Sequence, residues 1–202
     1  MNYLALGDSY SIGEGVAAEA RWPMQLAHAL RGEGIALADP DIIAATGWTT
    51  DELDAAIDAA QPAAGYDLVS LLVGVNNQYR GRGLDEYRHQ FAALLERAIA
   101  LAGDRHERVL VLSIPDWGAT RFGRDCGRDL VAVAHELDAF NAVARDICAA
   151  HGVAFVDITA VSRERGADAA MLADDGLHPS AAMHARWTQL ALPVARRLLA
   201  SR

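Results

Sequence analysis

The chain has 202 residues, of which 52% are hydrophobic and 22% are charged, and its formal net charge is −9. This length suits one globular domain, so we expect residues 1–202 to form a single unit. The acidic balance argues against a nucleic acid or an anionic membrane as partner, because the basic residues are scattered and form no patch. No apolar run approaches the roughly 20 residues that span a bilayer, so no integral membrane segment is expected.

Location and metal content are also constrained by the sequence. Met1 and Asn2 lead directly into an apolar run, which is unlike a secretory signal, so we expect a cytoplasmic protein unless a leader has been removed. The two cysteines, Cys126 and Cys148, are too few for a structural zinc site and are expected to be buried free thiols. The seven histidines show no paired ligand spacing, so no metal is expected.

Five short apolar runs have the length and composition of strands. They are residues 3–6, 41–45, 67–73, 108–114 and 153–156. The third run is apolar along nearly its whole length, which is typical of a central strand covered on both faces.

Helical periodicity is clearest in five segments, and residues 76–83 between two of them are predicted to form a polar loop. The helical segments are residues 22–31, a helix capped by Thr49 or Thr50 that extends to Ala60, and residues 84–102, 128–150 and 180–200. Pro193 is expected to kink the last helix. This alternation predicts a three-layer α/β/α sandwich around a five-stranded parallel sheet, with right-handed crossovers and flavodoxin-like strand order.

Ligands of open parallel sheets bind beyond the carboxyl ends of the strands, and the first polar loop of this chain lies there. Gly7, Asp8 and Ser9 follow the first strand directly. Ser9 stands near the start of a helical segment, where free N–H groups favour developing negative charge, so it is a candidate nucleophile. Taken alone, a serine in this position is more often a helix N-cap.

Three further loops carry polar residues at the same edge of the predicted sheet. Gly47 can present its backbone N–H to a ligand, although a glycine here also serves as a simple strand end. Asn76 and Asn77 supply amide donors, but a turn explains them equally well. Asp175 and His178 are three residues apart, so the carboxylate can orient the imidazole as a base. The occurrence of all four signals in this order favours a catalytic site.

These segments resemble the sequence blocks of the GDSL/SGNH hydrolase family of serine esterases and acylhydrolases, and the resemblance covers essentially the whole chain. The blocks correspond to Gly7-Asp8-Ser9-Tyr10, Gly47, Gly74-Val75-Asn76-Asn77 and Asp175-Gly176-Leu177-His178. The chain departs from the pattern at Tyr10, where the motif has leucine, and at Asn77, where aspartate is usual. The second departure bears on the geometry of the loop and not on the chemistry.

The resemblance implies that Ser9 is the nucleophile, that His178 takes its proton and that Asp175 orients His178. It also implies an oxyanion hole made of the backbone N–H groups of Ser9 and Gly47 and the side-chain amide of Asn76. This chemistry needs no cofactor. Asp174 is an alternative partner for the histidine, but the spacing of the family favours Asp175.

Several loop residues are expected to shape the substrate pocket, although each is also compatible with a structural role. They are Tyr10, Trp48, Gln78, Tyr79, Arg80 and Trp117. No separate lid is visible, so we expect a small-molecule ester as substrate, with a short acyl or acetyl group and possible attachment to a carbohydrate. The alternatives are a thioesterase or lysophospholipase that uses the same residues, and a non-catalytic ligand-binding module on the same scaffold.

Overall fold

A computed structural model of the protein describes residues 1–200. Its centre is a sheet of five parallel strands in the order β2-β1-β3-β4-β5. The strands are β1 (Tyr3–Gly7), β2 (Asp41–Ala44), β3 (Leu68–Leu72), β4 (Val109–Leu112) and β5 (Ala154–Val156). This order confirms the predicted α/β fold and its flavodoxin-like topology.

Helices cover both faces of the sheet. They are α1 (Ser9–Ile12), α2 (Trp22–Gly32), α3 (Thr50–Ala60), α4 (Val75–Tyr79), α5 (Leu84–Leu101), α6 (Arg121–Asp125), α7 (Leu130–Ala150), α8 (Thr159–Arg165) and α9 (Ala181–Ala200). Helices α2 and α9 pack against each other, while α5 packs between α3 and α7. In the described part of the chain, no helix is both long enough and apolar enough to cross a bilayer.

The burial of the strands follows their composition. Every residue of β1, β3 and β4 is buried, as expected for apolar strands in the middle of a sheet that is covered on both faces. The outer strands β2 and β5 are only partly buried. The core is therefore centred on the three inner strands, and this rigid centre fixes the loops at their carboxyl ends.

The long helices lie close to their predicted positions. Asp129 is the N-cap of α7, where its side chain accepts the backbone N–H groups of Val131 and Ala132, so the helix begins slightly later than residue 128. Helix α9 continues through Pro193. Cys126 and Cys148 are free thiols as expected, but only Cys148 is buried.

The prediction of a loop over residues 76–83 is wrong at its beginning, because residues 75–79 form helix α4. The sharp turn before α4 is made by Gly74, whose φ is 131°, a conformation that side-chain-bearing residues rarely adopt. The amides of Asn76 and Asn77 bond to distant segments and not to their own backbone, so they do not compete with the helix. Helices α6 and α8 were also not predicted; both are short.

Candidate active site

The register of the sheet brings three of the four polar loops together. Gly7, at the end of β1, is paired with Ala44 of β2 on one side and with Leu72 of β3 on the other. The loops that follow these three strands therefore leave the same edge of the sheet side by side. They carry Ser9, Gly47 and Asn76.

Ser9 is the first residue of α1 and is 4% exposed. Asp8, and not Ser9, is the N-cap of this helix, since its Oδ1 accepts the backbone N–H of Tyr10 at 3.0 Å. The Ser9 hydroxyl is therefore not used as a cap. Gly7 permits this tight turn, because a Cβ at that position would lie 2.2 Å from Ser11 Oγ and 2.5 Å from the carbonyl oxygen of Leu72.

Asp8, the residue before Ser9, carries a titratable side chain that is completely buried. Burial raises the pKa of Asp8 from 3.8 to about 7, although the backbone N–H groups of Tyr10, Asp8 and Gly74 favour the charged form. Only the Tyr10 bond has regular hydrogen-bond geometry, and Oδ2 has no such partner. The loop of the candidate nucleophile thus contains a carboxyl group whose pKa is raised to about 7.

The fourth loop pairs His178 with Asp175. His178 Nδ1 lies 2.5 Å from Asp175 Oδ2, and Asp175 Oδ1 accepts the backbone N–H groups of Leu177 at 2.8 Å and His178 at 2.9 Å. Partial burial opposes the ionisation of Asp175, but these hydrogen bonds outweigh it and hold its pKa below the usual range. A charged Asp175 favours the tautomer with the proton on Nδ1, which leaves Nε2 free to accept a proton.

Asp174 is placed differently, and this bears on the alternative partner for the histidine. Its backbone carbonyl accepts a hydrogen bond from Arg121 at 3.1 Å. The side-chain partner of His178 is Asp175.

All four loops contribute to one cavity of about 220 Å³, which we call the site cavity. Its lining includes Ser9, Gly47, Asn76 and His178. The other lining residues are Tyr10, Thr46, Val75, Tyr79, Trp117, Phe122 and Leu177. Tyr10, Tyr79 and Trp117 therefore lie where they were expected, whereas Thr46, Val75, Phe122 and Leu177 were not anticipated.

Gln78 and Trp48 do not line the site cavity, contrary to expectation. Gln78 is buried behind it, where Oε1 accepts the indole N–H of Trp117 at 2.8 Å and Nε2 donates to Glu136 at 2.7 Å. Trp48 packs against the core, and its carbonyl oxygen accepts a hydrogen bond from Asn76 Nδ2 at 2.8 Å. Both residues support neighbours that do line the cavity.

The expected donors at Gly47 and Asn76 are held in place by further contacts. Gly47 has a φ of 88°, and its carbonyl oxygen accepts a hydrogen bond from Arg80 at 2.6 Å. Arg80 therefore fixes this loop and does not line the cavity. Asn76 uses one amide hydrogen on Trp48, and a primary amide has a second hydrogen that can face the cavity.

Asn77, at the position where aspartate is usual, joins α4 to the start of α3. Its Oδ1 accepts the backbone N–H of Thr50 at 3.1 Å, and its Nδ2 donates to Thr50 Oγ1 at 2.7 Å. An aspartate could keep the first bond but could not donate the second. The asparagine therefore supports the position of α4, which carries Asn76.

A row of aromatic rings leads from His178 into the core. Tyr10 packs edge-on against His178 and against Trp187, with 6.2 Å and 5.7 Å between the ring centroids. Trp187 in turn packs edge-on against His184, with 5.2 Å between the centroids. His184 is fully buried, and its Nδ1 accepts the backbone N–H of Trp22 at 3.3 Å. Burial, with a smaller contribution from His178, lowers the pKa of His184 to about 3, so this ring is neutral.

Within residues 1–200, no group of three or more histidine, cysteine, aspartate or glutamate side chains is arranged to hold a metal ion.

Comparison with solved structures shows the same fold. The chain is 22% identical to TesA with a TM-score of 0.75, over 98% of this chain and 99% of that one. It is 20% identical to a lipase/acylhydrolase from Enterococcus faecalis, with a TM-score of 0.69 over 98% and 96% of the two chains. It is 19% identical to Axe2, an acetylxylan esterase from Geobacillus stearothermophilus, with a TM-score of 0.70 over 100% and 94%.

A search of curated protein sequences finds no significant match. The model of the GDSL-like lipase/acylhydrolase family, in contrast, matches residues 5–186, which is most of the chain. The chain therefore belongs to the GDSL-like lipase/acylhydrolase family, a family of serine hydrolases.

Proposed function

We propose that this protein is a carboxylic ester hydrolase that acts through an acyl-enzyme on Ser9, in one catalytic domain. The observation that carries the proposal is that Ser9 and His178 line the same cavity while Asp175 is bonded to the far nitrogen of His178. A serine hydroxyl is a weak nucleophile without a base, and a histidine oriented by a carboxylate in the same cavity can supply that base.

In the first half of the reaction, Ser9 Oγ attacks the carbonyl carbon of the ester, and the Ser9 proton moves to His178 Nε2. The carbonyl π electrons move to oxygen and form an oxyanion. The backbone N–H groups of Ser9 and Gly47 and the second amide hydrogen of Asn76 supply donors for this charge. Collapse of the intermediate breaks the bond to the leaving oxygen, which takes the proton from His178 and departs as an alcohol.

In the second half, a water molecule replaces the alcohol. His178 takes a proton from this water, whose oxygen attacks the acyl carbon and forms a second oxyanion. The bond to Ser9 then breaks, and Ser9 recovers its proton from His178 as the carboxylic acid is released. Asp175 stays charged throughout, since its hydrogen bonds favour the ionised form.

The site cavity supports short acyl or acetyl groups as substrates. A cavity of about 220 Å³ that is lined by the large side chains of Tyr10 and Trp117 favours a short chain over a long one. Carbohydrate acetates fall within this substrate class, and a solved structure of the same fold is an acetylxylan esterase.

Hydrolysis of p-nitrophenyl acetate by wild type, Ser9→Ala and Ser11→Ala tests the proposal. Ser11 is a matched control, because it is buried in the same short helix but does not line the cavity. We expect Ser9→Ala to lose turnover while Ser11→Ala keeps it, with unchanged circular dichroism for both. Near-normal turnover by Ser9→Ala would refute the assignment of the nucleophile, and no turnover by wild type would favour a binding module.

A panel of esters, acyl-CoAs and lysophospholipids separates the related activities. We expect acetyl esters to have the highest kcat/KM. Strong acyl-CoA turnover without ester turnover would show a thioesterase instead.

A further inference from the structure

A second, smaller cavity adjoins the site cavity. It holds about 20 Å³, and Met171, Leu172, Met183 and Trp187 are among the side chains around it. Tyr10, Trp117 and Leu177 line both cavities. Residues that line two cavities lie between them, so these three side chains form a wall, which we call the partition.

Two members of the partition are firmly held. The indole N–H of Trp117 is bonded to buried Gln78, which is itself bonded to Glu136 at the surface, so two successive hydrogen bonds fix the Trp117 ring. Tyr10 is 5% exposed and packs edge-on against Trp187. Replacing either would disturb the core.

Leu177 is the member that can be changed with the least disturbance. It is only partly buried, and its backbone N–H, not its side chain, makes the bond to Asp175. Shortening the side chain therefore removes part of the partition while keeping the turn that places His178.

We propose that the partition sets the upper limit on acyl-chain length, and that the second cavity is an extension of the acyl pocket that joins it when Leu177 is shortened. This inference rests on the proposed esterase function. The second cavity suits a straight hydrocarbon chain, because the side chains around it are mostly apolar. It is too small to accept a chain by itself, since its volume corresponds to about one or two water-sized probes.

Leu177→Ala removes three carbon atoms from the partition, and their volume adds to that of the second cavity. The joined space accepts roughly two to four more methylene groups, and burial of each in an apolar pocket is worth roughly fourfold. We therefore expect the ratio of kcat/KM for p-nitrophenyl hexanoate to that for the acetate to rise by about 15- to 250-fold in Leu177→Ala.

Leu172→Ala is the matched control. It removes the same atoms and enlarges the second cavity, but Leu172 does not line the site cavity. We expect this variant to keep the chain-length preference of wild type over acetate, butanoate, hexanoate and octanoate. If Leu177→Ala does not fold, judged by circular dichroism, Leu177→Val takes its place with a smaller shift in the same direction.

A binding measurement separates this inference from the esterase function. Titration calorimetry with hexan-1-ol is expected to show tighter binding to Leu177→Ala than to wild type or Leu172→Ala. An unchanged chain-length preference in an active Leu177→Ala would overturn the role of the partition and leave the esterase intact. If neither wild type nor any variant hydrolyses an ester, the proposed esterase function is wrong. If all three proteins bind hexan-1-ol equally, the proposed role of the partition is wrong as well.

Discussion

Replacing Asp8 by asparagine is expected to change how the stability of this protein depends on pH. Asp8 is fully buried beside the candidate nucleophile, and burial raises its pKa from 3.8 to about 7. Asparagine has nearly the same shape and keeps an oxygen for the backbone N–H of Tyr10, which Asp8 Oδ1 accepts at 3.0 Å. The substitution therefore removes the titration and keeps the helix cap.

The direction and size of the effect follow from proton linkage. Between pH 3.8 and about 7, folded Asp8 holds a proton that the unfolded chain releases. The stability that this group contributes is complete below pH 3.8 and is lost as the pH rises through about 7. The roughly thousandfold difference in acidity corresponds to about 4 kcal/mol in the free energy of unfolding.

Urea unfolding, followed by circular dichroism from pH 4 to pH 8, measures this effect. We expect the free energy of unfolding of Asp8→Asn, relative to wild type, to rise by about 4 kcal/mol over this interval. Asp129→Asn makes the same chemical change at an exposed N-cap and serves as the control for the substitution itself. A difference between Asp8→Asn and wild type that stays constant with pH would refute the reasoning.

Three further predictions concern the histidines and the proposed donors. Asp175→Asn is expected to lower kcat by up to ~10⁴-fold with unchanged circular dichroism, because the amide no longer favours the required tautomer of His178; a normal kcat would contradict this. Asn76→Ala is expected to lower kcat ~10²- to 10³-fold and change KM little, whereas a change in KM alone would assign Asn76 to substrate binding. His184 has its pKa lowered to about 3 by burial, so its contribution to stability is lost as the pH falls below 6.5. Relative to wild type, His184→Gln is therefore expected to gain about 3 kcal/mol in urea unfolding between pH 6.5 and 4, and a parallel pH profile would argue against a neutral His184.

The strands and their order could be predicted because local pattern determines them. The apolar run of β3 indicates a buried central strand, and right-handed crossovers leave few orders for five parallel strands. Since loops at the carboxyl ends of neighbouring strands lie together, the nearness of Ser9, Gly47 and Asn76 followed from the same reasoning.

The errors arose where distant contacts decide the structure. Asparagine is common in turns, so the segment that begins at Asn76 was predicted as a loop; its hydrogen bonds to Trp48 and Thr50, far away in sequence, are compatible with a helix. Gln78 has the polarity of a pocket residue, but its bonds to Trp117 and Glu136 place it behind the cavity. No local signal distinguishes these roles.

Leu177 lines the site cavity, but the sequence does not identify it as a pocket residue. It stands between the two polar residues of the Asp175–His178 turn, and nothing in its immediate sequence separates it from an ordinary core leucine. Its place between two cavities depends on Tyr10 and Trp117, which come from other loops.

Ser9 is proposed to be a nucleophile that His178 activates. Labelling of the native protein with a fluorophosphonate probe, followed by peptide mapping in a mass spectrometer, tests it most directly. We expect one adduct, on Ser9, that disappears when the protein is unfolded beforehand and is strongly reduced in His178→Ala. An adduct on another serine, such as Ser11 in the same helix, or no adduct on the folded wild-type protein, would contradict the claim.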